Sequence, residues 1–160
     1  MMSEQIMQDI TVINEKELKL VGIRVVCPGD QYVLEIPRAS KLLDERKNEI
    51  KHVINPTKQI GAFVAGDDCP EEEDGYWVCF EVKEYEEIPQ GMVVLTVPPQ
   101  KYAVLRHKGP NHKIREAYGQ LHNWIEENGF TRERDKWHLE LFHSWEDVMN
   151  IDVELLETIE

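Results

Sequence analysis

Glu140 lies in the stretch Lys136-Trp137-His138-Leu139-Glu140-Leu141-Phe142-His143-Ser144-Trp145, where apolar and aromatic residues alternate with polar ones. A period of two predicts a strand. Such a strand places His138, Glu140 and Phe142 on one face and Trp137, Leu139 and Leu141 on the other. Bulky groups on both faces predict cover on both sides, which makes Glu140 a candidate buried carboxylate. A carboxylate taken out of water needs a partner or takes up a proton. Among aromatic rings it would await a cation or serve acid–base chemistry. The alternative is an edge strand with Glu140 facing water. His138 and Glu140 share a face and would supply two metal ligands. His143 falls on the opposite face, and two ligands do not make a site. No metal and no other cofactor is expected.

Around this acid the strand-forming stretches are rich in rings: Phe63, Tyr76, Trp77, Phe80, Tyr102, Trp137, Phe142 and Trp145. Most such residues build a core, but those lining a cleft beside one acid would suit flat or cationic organic molecules. Stacking and cation–π contacts supply about 0.5–2 kcal/mol each. The chain has no GxGxxG, Walker A loop, nucleophile elbow or HExxH helix. His107, His112 and His122 read as surface or helix-end residues. The run Asp67 to Gly75 carries six acids without the register or central glycine of a calcium loop, and reads as a solvated loop. Cys27, Cys69 and Cys79 are too widely spaced for a CxxC site and read as free thiols.

The elements that position these residues follow from periodicity. Thr11 to Pro28 reads as strand, and Pro28-Gly29-Asp30 as a turn. Ala39, Leu42, Leu43, Arg46, Ile50 and Val53 follow helical spacing, with Pro37 in the first turn and Asn55-Pro56 as the stop. Ile60 to Ala65 and Tyr76 to Val82 are strands, the latter with Tyr76, Val78, Phe80 and Val82 on one face. Met92 to Val97 and Gln100 to His107 are strand-like, parted by Pro98-Pro99. Ile114, Ala117, Tyr118, Leu121, Trp124 and Ile125 mark one helix face, closed by Gly129. Ile151, Val153, Leu155 and Ile159 form a last strand. The order strand, helix, strand, strand thus occurs twice. Lys19-Leu20-Val21-Gly22-Ile23-Arg24 is echoed by Lys101-Tyr102-Ala103-Val104-Leu105-Arg106, and Pro28 by Pro110. The expectation is an α+β fold of two βαββ modules, roughly 10–87 and 90–160, with antiparallel sheets, two helices and a ligand cleft between the modules.

The chain has 160 residues, 41% hydrophobic and 31% charged, with a formal net charge of -13. That length suits a single domain, 1–160. The acidic balance disfavours direct contact with nucleic acid and is compatible with cationic ligands. No apolar run approaches the roughly 18 residues that span a bilayer, and the N-terminus lacks a signal-peptide pattern. A cytoplasmic protein with no membrane partner is expected.

Several segments resemble one known family. Gly91-Met92, Val97-Pro98 and Lys101 to Gly109 are similar to the "gm…vp…YAvf.h.G" segment of GyrI-like small-molecule-binding domains, the effector-binding domains of AraC-type and MerR-type multidrug regulators. The helix Ile114 to Gly129, with Tyr118 and Trp124-Ile125, resembles their second helix. Leu139-Glu140-Leu141-Phe142 resembles their "fEvY" strand, and Tyr76 to Val82 their "Y-x-a-G-v-e-v" strand. The resemblance implies a pseudo-symmetric, SHS2-like tandem fold in which Glu140 is the pocket acid that meets cationic ligands. Phe142 stands where the family has tyrosine, and Cys79 stands where it has glycine, which is expected to narrow the cleft. No helix-turn-helix precedes residue 10 or follows residue 160, so a stand-alone binding domain without a DNA-binding domain is expected.

On this reading the protein binds hydrophobic aromatic, often cationic, small molecules, as in xenobiotic sensing or sequestration. Glu140 supplies charge, and Phe142, Trp137, Tyr76, Tyr102 and Phe63 are the candidate walls. A second reading is a hydrolase that opens cyclopropanoid DNA-alkylating compounds, with Glu140 as the acid–base group and Tyr76 or Tyr102 assisting. A third is a gyrase-inhibitor-like module that binds a protein partner through its acidic surface.

Overall fold

The computed structural model describes residues 10–66 and 70–160; residues 1–9 and Asp67, Asp68 and Cys69 lie outside the described residues. Eight strands are connected with two helices: β1 (Thr11–Glu15), β2 (Leu18–Val25), α1 (Tyr32–Glu45), β3 (Gln59–Val64), β4 (Tyr76–Val82), β5 (Val93–Val97), β6 (Gln100–Gly109), α2 (Ile114–Glu127), β7 (Trp137–Ser144) and β8 (Ile151–Ile159). All strand pairs are antiparallel, in one sheet of order β1-β6-β8-β7-β3-β4-β2-β5.

The order reads the same from either end when each strand is exchanged for its counterpart in the other half. A pseudo-two-fold axis therefore runs between β3 and β7. The first strand of each half crosses over: β1 pairs with β6, and β5 pairs with β2. The stretch expected to be one strand from Thr11 to Pro28 is parted at Lys16 and Glu17, and that break allows the exchange.

Both helices lie on the sheet face that carries Glu140. On α1, Tyr32, Ile36, Ala39 and Leu43 form the stripe that packs on Val21, Val78 and Phe80. On α2, Ala117, Leu121 and Ile125 pack on Ala103, Leu105, Val153 and Leu155. The opposite sheet face buries Leu20, Ile60, Ala62, Trp77, Cys79, Tyr102, Leu139 and Leu156 in one cluster. Alternation on each strand divides these two layers, as a period of two requires.

Helix α1 differs from its expected limits. It begins at Tyr32, so Pro37 lies inside it, and it ends at Glu45. Ile50 and Val53 continue the apolar series beyond the helix and still pack into the same cluster. Helical spacing alone does not separate a helix from a following turn that buries the same face.

Candidate functional site

Glu140 occupies the middle of the sheet, opposite Gly61 of β3 and Leu155 of β8. It is 9% exposed. The edge-strand alternative is therefore wrong: β7 is covered on both faces. Two phenols hold the carboxylate. The Tyr76 hydroxyl donates to Oε1 at 2.5 Å, and the Tyr118 hydroxyl donates to Oε2 at 2.6 Å. Tyr76 starts on β4 and must cross β3 to reach β7. Gly61 makes this possible, because a Cβ there would fall 1.7 Å from the Tyr76 hydroxyl. Tyr118 comes from α2, so the acid ties one helix to both halves of the sheet. Phe63 stacks on Tyr76 with ring centroids 5.9 Å apart and holds that ring from behind.

The electrostatics are unbalanced. Burial raises the Glu140 pKa above the ordinary carboxylate range; the Tyr118 and Tyr76 hydrogen bonds oppose this, and the Glu157 charge adds to it. Burial, followed by the adjacent Glu140, also holds both phenols protonated, well above the usual tyrosine value. Two donated hydrogen bonds suit the ionised acid, while desolvation penalises it. No basic side chain among the described residues compensates.

A cavity of about 190 Å³ opens above Glu140, between the two helices. Ile36 and Pro37 of α1, Val78 of β4, Ile114 of α2 and Phe142 of β7 give it apolar walls. Glu140 is its acid, and no lysine, arginine or histidine is among the lining residues. Trp145 completes the wall beyond the end of β7. Simple alternation from Glu140 would turn Trp145 to the opposite face. A bulge at His143, seen as a register shift between Phe142 and Ser144 against β8, restores Trp145 to the cavity side.

The expected site residues therefore separate. Glu140, Tyr76 and Phe142 line the cavity. Tyr102 and Trp137 do not; both belong to the opposite layer. The Tyr102 hydroxyl accepts from Gln100 Nε2 at 2.7 Å, Gln100 also donates to the Trp137 carbonyl at 2.9 Å, and burial pushes the Tyr102 phenol up to about 12. The reason is parity: Tyr102 alternates with Ala103 and Leu105, which face α2. Phe63 stands behind Tyr76 and is not a wall. Cys79 lies fully buried in the opposite layer and does not narrow the cavity. Helical spacing places Tyr118 only on the core face of α2. Its hydroxyl, unlike the aliphatic members of that stripe, requires a partner when buried, and that is the available signal.

Of the histidines expected at the surface or at helix ends, one is buried and another, half-buried on α2, is paired with an acid. His107 is buried, with Nε2 3.1 Å from the Pro110 carbonyl. His122 Nε2 lies 2.7 Å from Glu157 Oε1, and His138 Nδ1 lies 2.9 Å from Glu157 Oε2, with Arg132 at 3.4 Å. Glu157 is thus a second buried acid, but one supplied with partners. Burial alone would raise its pKa; the hydrogen bonds from His122 and His138 and the charges of His138 and Arg132 draw it well below the usual range. A separate exposed group, His52, Glu84 and Glu86, is closed by its own ion pairs and by Lys51.

Residues 8–156 match the GyrI-like small molecule binding domain. The chain belongs to this family. Over 122 residues it is 43% identical to the transcriptional regulator BrlR of Pseudomonas aeruginosa, a match covering 71% of this chain and 40% of that regulator. The fold resembles the EcmrR C-terminal domain, with a TM-score of 0.70 at 17% identity, covering 96% of this chain and 98% of the other. It also resembles SAV2435 in a structure bound to tetraphenylphosphonium, with a TM-score of 0.67 at 14% identity, covering 95% and 94%. Among the described residues of this GyrI-like chain, no helix is long and apolar enough to cross a membrane.

Proposed function

We propose that this GyrI-like domain binds lipophilic, aromatic cations, with Glu140 as the counter-charge. One observation carries the reading: a carboxylate 9% exposed, held by two neutral phenols, faces an apolar cavity that contains no basic side chain. A bound cation supplies the charge that burial leaves unmatched, and the ring of Phe142 and the indole of Trp145 supply stacking and cation–π surface. The enclosed space is below the roughly 300–1,000 Å³ of drug-sized sites. A larger ligand is accommodated at the rim, where Val33 and Val148 line the opening and remain 67% and 53% exposed. Sensing or sequestration of a xenobiotic in the cytoplasm is the role that fits. SAV2435, with tetraphenylphosphonium bound, supports the ligand class.

The test is a titration of wild type and Glu140→Gln with tetraphenylphosphonium, followed by calorimetry. The variant keeps the size and polarity of the side chain and removes its charge. The expected result is a loss of at least about tenfold in affinity, or about 1.4 kcal/mol. Equal affinity would remove Glu140 from the role.

The raised Glu140 pKa also favours a second reading, a hydrolase in which this acid protonates an electrophilic substrate and Tyr76 assists. Mass spectrometry of a cyclopropanoid compound after incubation separates the two. Product that appears with wild type and not with Glu140→Gln supports turnover; an intact compound with both refutes it for that class.

A further inference from the structure

The cavity has a second polar point, on the side of the first half. Gln59 of β3 is 1% exposed and Ser40 of α1 is half-buried, and both line the cavity. The Ser40 hydroxyl donates to Gln59 Oε1 at 2.5 Å, and Gln59 Nε2 donates to the Ser40 carbonyl at 2.9 Å. The amide is thus fixed in orientation by two bonds to one residue. A primary amide carries two N–H donors and a hydroxyl oxygen two lone pairs. The Ser40 carbonyl uses one N–H of Gln59; the other N–H and the acceptor capacity of the Ser40 hydroxyl have no protein partner among the described hydrogen bonds. Asn111 and Tyr32 are further polar lining residues, while Phe142, the cross-strand partner of Gln59, and Ile36 and Pro37 of α1 give apolar wall beside the pair.

Register sets the spacing of the two polar points. Gly61 pairs with Glu140, and Gln59 lies two residues along the same strand on the same face. At about 3.4 Å rise per residue the two rows are about 7 Å apart, the length of one substituted aromatic ring.

We propose that the Ser40–Gln59 pair is a specificity-determining subsite that receives a neutral hydrogen-bonding oxygen of the ligand, one ring away from the positive charge that Glu140 meets. The proposal rests on the cation-binding reading. It assigns to this chain a narrower ligand class: aromatic cations that carry a carbonyl, ether or amide oxygen. A fixed, buried amide with an unused donor rewards such an oxygen and gives nothing to a hydrocarbon surface.

The experiment compares two probes that differ in that oxygen: tetraphenylphosphonium and (4-acetylphenyl)triphenylphosphonium, whose carbonyl sits one ring from phosphorus. Both are titrated into wild type, Gln59→Met and Ser40→Ala. Wild type is expected to prefer the acetyl probe several-fold, up to about tenfold, the range for one neutral hydrogen bond. Gln59→Met keeps similar volume without a donor; it is expected to bring the ratio of the two affinities to one. Ser40→Ala releases the amide and is expected to reduce the ratio. A wild-type ratio of one, or a ratio unchanged in Gln59→Met, overturns the subsite. Equal loss of both affinities in the variants also overturns it, because that is what a purely structural tie between α1 and β3 would do. Tetraphenylphosphonium binding that depends on Glu140 but shows no ratio fails this subsite alone. Failure of both probes to bind wild type fails the cation reading and the subsite together.

Discussion

Replacing Gly61 by alanine should destabilise the protein through one side chain, Tyr76. The added Cβ would fall 1.7 Å from the Tyr76 hydroxyl and 2.4 Å from its Cζ. The backbone at Gly61 is not left-handed, so alanine itself fits there. At such a position Gly→Ala ordinarily stabilises by about 0.4–1 kcal/mol through the unfolded chain. Here the ring must leave its place, and Glu140 loses a charge-assisted hydrogen bond worth about 1.5–3 kcal/mol. The net expectation is a loss of about 1–2 kcal/mol. Urea denaturation of a double-mutant cycle isolates the cause. In a Tyr76→Ala background the clash is gone, and Gly61→Ala should become neutral or stabilising. Tyr76→Phe should not restore this, because ring carbons as well as the hydroxyl crowd the new Cβ. A cost for Gly61→Ala that is the same in wild type and in Tyr76→Ala would refute the account of how the phenol crosses β3.

The two buried glutamates should respond to pH in opposite ways. The folded-state pKa of Glu140 is raised, so its ionisation costs stability above that pKa, and the cost is absent below the unfolded value near 4.3. Ligand-free Glu140→Gln is therefore expected to melt higher than wild type at pH 8, with the gap closing as pH falls towards 4. A variant that melts lower at pH 8 would show that the two phenols outweigh desolvation. Glu157 is depressed, so it contributes stability that is present above about 4.3 and is lost as pH falls through the lower folded value. Glu157→Gln leaves Arg132 without its counter-charge and weakens the bonds to His122 and His138, and should cost about 1–3 kcal/mol at pH 7. Denaturant melts across pH 3–8 should show that cost shrinking on acidification; a constant cost would assign it to packing.

Period-two alternation was sufficient to place the two layers of the sheet. It put Tyr76, Val78 and Phe80 together, and it set Glu140 and Phe142 apart from Trp137 and Leu139. It also made Glu140 a candidate for enclosure, because both faces of its strand are bulky, but the edge-strand alternative was excluded only by the assembled sheet. The repeat of Lys19 to Arg24 in Lys101 to Arg106 marked the equivalent strands β2 and β6. Aromatic content alone points Tyr102 and Trp137 to the cavity, whereas their parity along β6 and β7 sends both to the opposite layer. What composition and spacing could not supply were relations between elements. The exchange of β1 and β5 depends on pairing across halves, and local pattern is the same whichever neighbour a strand chooses. The passage of Tyr76 over Gly61 depends on which strand separates β4 from β7. The arrival of Tyr118 depends on where α2 settles on the sheet, and the turn of Trp145 towards the cavity depends on a single extra residue at His143. Alternation along a strand is a local steric property and is written into the chain. The meeting of Glu140 with two phenols and an open cavity is a product of long-range register, which exists only once the sheet is assembled.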